Sequence, residues 1–382
     1  MVGAVKQLDE VVTPALVVDR TRLLENIEAM AKRARSLGVA LRPHAKTHKS
    51  PAIAALQREH GASGLTVATI TEAEGFAAEG VDDLVLTAPP VGDWRLQRVL
   101  ALASRVRIRV VVDSVEVVAG LERACRDHGV EIGYLWEVDS GVGRFGTAPG
   151  ETTAEQIAKA VDAGAHATFD GLLTFGGHAY AATTREEIAA AARDEHDAIT
   201  HTVSALAERG IETNVRSVGS TPTSHFMKNA DEVTEIRPGN YVFYDATQVA
   251  IGVVPLERCA LSVLATVTSR PAPDRLILDS GSKALAAERL TALTPGFGVV
   301  GGHPELRVER LYEEQAIVYT DEPSDIPIGA RVRVIPNHAC AAANLHSEML
   351  VVEAGSVVDV WPVATREWRE IEPERRPAWS TR

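Results

Sequence analysis

VALRPHAKTHKSPAIAALQREHGASGLTVATITEAEGFAAEGVDDLVLTA, residues 39–88, holds three short apolar or β-branched runs separated by two amphipathic stretches. The runs VALRPHA (39–45), GLTVAT (64–69) and DLVLTA (83–88) predict strands. Between them, SPAIAALQREHG and TEAEGFAAEG predict helices, opening on Ser or Thr and closing on Gly as capped helices do. Strands alternating with helices predict a parallel sheet with crossover helices.

The same rhythm extends in both directions. ALVVD (15–19) precedes it, and RIRVVVD (107–113), YLWEVD (134–139), DGLLTFG (170–176), VRSVGS (215–220) and RPGNYVFYD (237–245) follow. Eight such repeats between residues 14 and 250 fit an α/β fold closed as a (β/α)8 TIM barrel better than an open doubly wound sheet. No GxGxxG follows the first strand, which weakens a Rossmann reading. After residue 250 helical periodicity nearly vanishes. CALSVLATVTSR, DRLILDSG, LRVERLYEEQAIVY, ARVRVIPNHAC, EMLVVEAG and SVVDVWPVA are strand-like runs cut by turn residues. They predict a second, all-β domain over 251–382, with residues 1–13 as candidates to pack on it. EPERRPAWSTR at the end reads as a weakly ordered tail.

The bulk composition narrows the partners. A chain of 382 residues exceeds one ordinary core, and a net charge of -13 argues against a nucleic-acid or anionic-membrane partner. Neither the first residues nor any later stretch has the apolar length of a leader or a membrane span. Three scattered cysteines do not make a disulfide framework. A cytoplasmic protein is expected.

Chemistry-bearing strings cluster where barrel strands would end. Lys46 follows the strand at 39–45 and is crowded by Arg42, His44, His48 and Lys49, whose charges would depress its pKa and free an amine for a carbonyl. A basic loop that binds an anion is the competing reading. GVGRFG (141–146) frames Arg144 with glycines, GGHAY (176–180) carries His178 and Tyr180, and GSTPT (219–223) and RPGNY (237–241) offer small residues, amides and hydroxyls. The loops after the last two strands of a barrel commonly cradle a phosphate. A lysine, a phosphate cup and an arginine point to pyridoxal phosphate, with Arg144 at the ring; ordinary Gly-rich turns for each string alone and a structural salt bridge for Arg144 are the competing readings. Far along the chain, IPNHAC puts His338 and Cys340 two residues apart, on one side of an extended backbone, a pair that suits zinc; a small apolar core cysteine with a histidine there by chance is the competing reading, and the spacing alone favours it. DSGSKAL (279–285) offers a further hydroxyl and lysine, and an ordinary turn explains it equally well.

PALVVD, RPHAKTHKS, GVGRFG, GGHAY, RPGNYVFYD, IPNHAC and VVDVWPV resemble, in that order, the fold-type III pyridoxal phosphate enzymes of the D-serine dehydratase and D-threonine aldolase family. The resemblance spans nearly the whole chain. It implies an alanine-racemase-type barrel with a C-terminal β domain, a homodimer, and a divalent metal beside the coenzyme. It also implies Lys46 as the Schiff-base lysine and His338 with Cys340 as metal ligands. Members with His-x-Cys resemble the zinc-dependent dehydratases, and the aldolases that carry His-x-Asp differ at that position; a soft thiolate selects zinc over Mn2+ or Mg2+. The implied reaction is dehydration of a D-β-hydroxy amino acid (D-serine, D-threonine or 3-hydroxy-D-aspartate) to a 2-oxo acid and ammonia, with Lys46 taking the α-proton. Gly219, Ser220, Thr221, Gly239, Asn240 and Tyr241 are the expected phosphate group, and His178 and Tyr180 the expected substrate or proton-relay contacts. Retro-aldol cleavage to glycine and an aldehyde is the rival. Phe175 departs from the pattern, standing where some relatives carry a polar side chain near the coenzyme ring.

Overall fold

Residues 7–365 are described by a computed structural model; the tail EPERRPAWSTR lies outside them. The chain enters with β1 (Ala15–Asp19) and α1 (Arg20–Leu37). The Asp19 carboxylate opens that helix by accepting from the Arg22 amide at 3.0 Å, and Gly38 closes it at φ 72°. Seven strand-helix units follow: β2 (Ala40–Leu41) with α2 (Pro51–Glu59), β3 (Leu65–Val67) with α3 (Ile70–Ala78), and β4 (Asp83–Leu86) with α4 (Asp93–Ala103). Then come β5 (Arg107–Val112) with α5 (Val115–His128), β6 (Ile132–Val138) with α6 (Glu151–Asp162), β7 (Ala167–Thr174) with α7 (Arg185–Ala207), and β8 (Val215–Val218) with α8 (Thr221–Phe226). β9 (Glu235–Ile236) completes the set.

β2 to β9 form an eight-stranded parallel sheet in the order β2-β9-β8-β7-β6-β5-β4-β3. It closes where His44 bridges Thr66, the Thr66 amide donating to the Pro43 carbonyl at 2.8 Å. Alternation along the strands decides what faces where. Val85, Val111, Leu135 and Leu173 meet in the barrel lumen, whereas Leu84, Val110, Val112, Tyr134 and Trp136 join the main core beneath the helices. Below the lumen cluster a network replaces apolar packing. Arg42 bonds Asp83 and Glu235, both at 2.8 Å, and Arg109 bonds Asp170 at 2.6 Å and Asp83 at 3.4 Å.

The remaining strands are β10 (Leu261–Ala272), β11 (Arg275–Leu278), β12 (Gly298–Val300), β13 (Arg307–Leu311), β14 (Ala316–Tyr319), β15 (Arg331–Pro336), β16 (Glu348–Glu353) and β17 (Ser356–Pro362). β10, β11, β14, β13, β12 and β15 pair around a closed antiparallel barrel, because the long β10 bonds both β11 and β15. Short helices interrupt this region, among them Ser282–Leu285 and Ala339–Leu345. Among the described residues no helix is long and apolar enough to cross a membrane.

Two sequence expectations need correction. ALVVD does not begin the α/β barrel: β1 lies in the other sheet, antiparallel to β10 and parallel to β16. Its Leu16, Val17 and Val18 are all fully buried, so the run is apolar on both faces and its local pattern fits either sheet. RPGNYVFYD is likewise not a strand. The eighth strand is the preceding Glu235–Ile236, and Asn240–Val242 forms a 3-10 turn past its end.

Candidate active site

The ends of the parallel strands and two segments of the β domain enclose a cavity of about 930 Å3. Lys46 reaches it from the 3-10 turn Ala45–Thr47 that follows β2. Among the described residues Lys46 Nζ donates no hydrogen bond. It lies 5.7 Å from the centroid of the Phe175 ring, and the Arg144 guanidinium lies 5.2 Å from the same centroid. Burial lowers the Lys46 pKa, the Cys340 thiolate opposes this, and Arg144 and Arg237 lower it further. The expected crowding by sequence neighbours is therefore corrected in part. Arg42 is turned to Asp83 and Glu235 under the lumen, and Lys49 pairs with Glu72 at 3.4 Å and with Asn344 Oδ1 at 2.8 Å. His44 is the neighbour that stays close, and burial followed by Lys46 and Arg237 drives its own pKa well down.

One corner of the cavity is polar backbone. Ser220, Thr221, Gly239 and Asn240 line it, and among the described residues the amides of Gly239 and Asn240 have no intramolecular acceptor, whereas that of Thr221 faces the Tyr180 hydroxyl. Gly239 is required there by space. A Cβ on it would come within 2.9 Å of both the His44 carbonyl and Thr47 Oγ1. Tyr180 lines the same side, and its hydroxyl is held protonated by burial, with the Cys340 thiolate adding to the effect and a Thr221 contact opposing it.

The opposite wall comes from the β domain. His338 is the extended residue (φ -135°) that caps the helix Ala339–Leu345, and Cys340 stands in its first turn. This replaces the expected geometry: the two side chains converge at a strand-to-helix junction, not along one face of a strand. Cys340 Sγ lies 3.2 Å from Thr47 Oγ1, one residue from Lys46. Burial pushes the Cys340 thiol up, but His338, the Thr47 hydroxyl and Lys46 together hold it below the ordinary value. Asp245, fully buried, fixes this junction by accepting from the Ala339 amide at 2.9 Å and from Asn240 Nδ2 at 2.5 Å, so it ties the metal-type pair to the amide corner. Among the described residues no third His, Cys, Asp or Glu joins the pair in a metal-binding group.

Three expected residues are not brought into the cavity. His178 turns to Asp194 on α7 at 3.3 Å. It lies between Gly177 and Tyr180, which a 3-10 turn stacks on the inner face. The Gly219 amide is bonded to the buried Glu195 at 3.0 Å, behind the amide corner. The Tyr241 ring is fully buried and its hydroxyl accepts from Gln57 at 2.9 Å, while its amide donates to Thr221 Oγ1 at 3.1 Å. Conversely, Arg237 and Glu288 line the cavity without having been singled out. Arg237 opens the RPGNY string and is buried among Ser217, the Thr174 carbonyl and Glu235, so its motif was a signal. Glu288 follows a segment with no recognisable pattern. Ser282 of DSGSKAL lines the cavity too, whereas Lys283 points to Glu314 at 2.8 Å in solvent.

A closed parallel barrel with a half-buried lysine at its rim, an amide corner and a second β-barrel over the mouth defines the class of fold-type III pyridoxal phosphate enzymes. Comparison with known proteins makes the family specific. The alanine racemase N-terminal domain family matches residues 18–247, and the serine dehydratase domain family matches residues 260–352. The chain belongs to this family of lyases, which joins D-serine dehydratases, D-threonine aldolases and 3-hydroxyaspartate dehydratases. It is 35% identical to D-threo-3-hydroxyaspartate dehydratase of Delftia sp. (strain HT23), over 91% of this chain and 96% of that one. It is 34% identical to a D-threonine aldolase of an Arthrobacter species, over 94% of each. Solved structures of D-threo-3-hydroxyaspartate dehydratase include two variants, one with a histidine and one with the cysteine two positions further on replaced by alanine, the latter solved in the metal-free form. Both superpose on this chain with a TM-score of 0.88, covering 94% of it and 98% (cysteine variant) or 96% (histidine variant) of the other, at 33% and 34% identity.

Proposed function

We propose that this protein dehydrates a D-β-hydroxy amino acid to a 2-oxo acid and ammonia, using pyridoxal phosphate and a divalent ion, zinc. The observation that carries the reading is the meeting of an unbonded Lys46 amine with the His338 and Cys340 side chains across one cavity. The donor set fits both groups. The two amides without acceptors and the hydroxyls beside them suit a phosphate, Lys46 suits the coenzyme aldehyde, and an imidazole with a thiol held below its ordinary pKa suits zinc. The histidine and cysteine replaced in those two dehydratase variants have the same spacing, which supports His338 and Cys340 as the ligands.

Pyridoxal phosphate, when bound, supplies an electron sink for charge left at the α-carbon, and the ion supplies Lewis acidity toward a β-oxygen. The residues of this chain do the rest. Lys46, whose pKa burial lowers, would take the α-proton. Gly239 and Asn240 would hold the phosphate through their amides, with the Ser220 and Thr221 hydroxyls beside them. Arg144 covers the ring region from above Phe175. Tyr180 keeps its proton and so orients by donating a hydrogen bond; it is not a base.

Aldol cleavage is the second reading, because the Arthrobacter aldolase is nearly as similar as the Delftia dehydratase. Incubation with D-threonine decides between them. Dehydration yields 2-oxobutanoate and ammonia, in step and dependent on Lys46; glycine with acetaldehyde as the main products overturns the dehydratase reading. We also read the protein as a cytoplasmic homodimer. Cys125, Cys259 and Cys340 are unpaired, as a reducing compartment requires. Leu345 on the cavity wall and Phe145 beside Arg144 are 41% and 45% exposed, an apolar rim suited to a second subunit.

A further inference from the structure

Glu288 belongs to a stretch that sequence patterns leave blank, yet the fold holds it in an unusual way. The backbone just before it is strained: Ala286 has φ 61° and ψ 161°, a conformation that side chains other than glycine rarely adopt. Two bonds then clamp Glu288 to consecutive residues of the other segment. Asn337 Nδ2 donates to the Glu288 carbonyl at 3.1 Å and to the Gly296 carbonyl at 2.8 Å. The next residue, His338, is bonded through Nδ1 to the Glu288 carboxylate. A third tie, His346 Nε2 with the Ala284 carbonyl at 3.0 Å, joins the far end of the same helix to the segment before Glu288.

We propose that Glu288 is a positioning residue for His338. Its carboxylate accepts the Nδ1 proton, which selects one tautomer, fixes the ring plane and leaves Nε2 as the nitrogen available to an ion. Histidine ligands of metals commonly have such a carboxylate partner, which raises ligand basicity and pre-orients the ring. The strained Ala286 and the Asn337 clamp are then explained as the means of holding that carboxylate at the right place. The inference rests on the zinc reading given above.

The test measures zinc affinity of the holoprotein by competition with a chromophoric chelator, in the wild type and in Glu288→Gln, Glu288→Ala, Glu288→Asp and His338→Ala. Coenzyme absorbance in each variant reports whether the site is intact. Losing the partner carboxylate is expected to weaken zinc about 10- to 100-fold, with coenzyme absorbance kept and Glu288→Asp recovering part of the loss. If Glu288→Ala disturbs folding, the isosteric Glu288→Gln decides. Wild-type zinc affinity in Glu288→Gln and Glu288→Ala, alongside loss of zinc in His338→Ala, overturns the positioning role alone. Wild-type affinity in His338→Ala as well overturns the zinc reading on which it stands.

Discussion

Alongside the buried His44, two histidines with depressed pKa values contribute to how this protein responds to acid. His48 is fully buried, and burial holds its pKa down to about 4 against an ordinary 6.5. His225, beside the Tyr244 hydroxyl at 2.8 Å, is lowered by burial to about 4 as well, with help from Arg33 and Arg258. Below pH 6.5 the unfolded chain takes up protons that these neutral rings refuse, so stability is complete above 6.5 and falls as pH drops toward 4. By linkage the loss is on the order of 3 kcal/mol for each ring once pH reaches its folded pKa. Denaturant midpoints measured from pH 7 to 4.5 should fall, and less steeply in His48→Gln or His225→Gln. A slope unchanged in both variants would show that other groups govern acid sensitivity. At the same scale, Lys46 illustrates a limit of reading neighbours along the chain: adjacent cations matter less to it than Arg144 and Arg237, which arrive from distant strands.

Among the elements, the turns after strands carry more of the site than the strands themselves. The 3-10 turn Ala45–Thr47 presents Lys46 inward and Thr47 toward Cys340, and the turn at Asn240–Val242 places its leading amides at the cavity corner. Gly239 is the residue that lets these two turns touch. Glycine to alanine there would put a methyl 2.9 Å from the His44 carbonyl, forcing the turns apart at a cost of about 1–3 kcal/mol. Gly239→Ala should therefore weaken coenzyme binding by at least about tenfold, read by titrating the apoprotein with pyridoxal phosphate. Undiminished affinity would mean that this corner does not hold the phosphate. The helix Ala339–Leu345 shows the opposite difficulty. Its alanine-rich run was hidden within a strand-rich context, and only its capping by His338 explains how the HxC pair converges.

For the whole molecule, the decisive feature is that one chain threads both sheets. β1 leaves the β domain before the parallel barrel begins, and the chain returns to that domain at β10, so the boundary is crossed twice. The cavity is built from both sides of the crossing, with the exposed Leu345 on its wall and the exposed Phe145 beside its Arg144. Light scattering at micromolar concentration should accordingly give twice the mass of one 40.9 kDa chain. A monomer that retains full turnover would remove the reason for the exposed rim.

The periodicity of residues 39–236 was enough to determine a parallel barrel, since hydrophobic alternation and helix caps are local properties of the chain. Lys46, Arg144 and the His338–Cys340 pair were legible for the same reason, each lying in a short string of unusual composition. Of the nine candidate runs, ALVVD belongs to the other sheet and RPGNYVFYD lies just past the true eighth strand, Glu235–Ile236, so eight parallel strands remain. What sequence could not decide was which apolar run pairs with which, since β1 is buried on both faces. Nor could it show that His178 faces α7, that Gly219 and Tyr241 are turned to internal partners, or that Glu288 meets His338. Those facts depend on contacts between residues tens to hundreds of positions apart, and only the folded chain brings them within bonding distance.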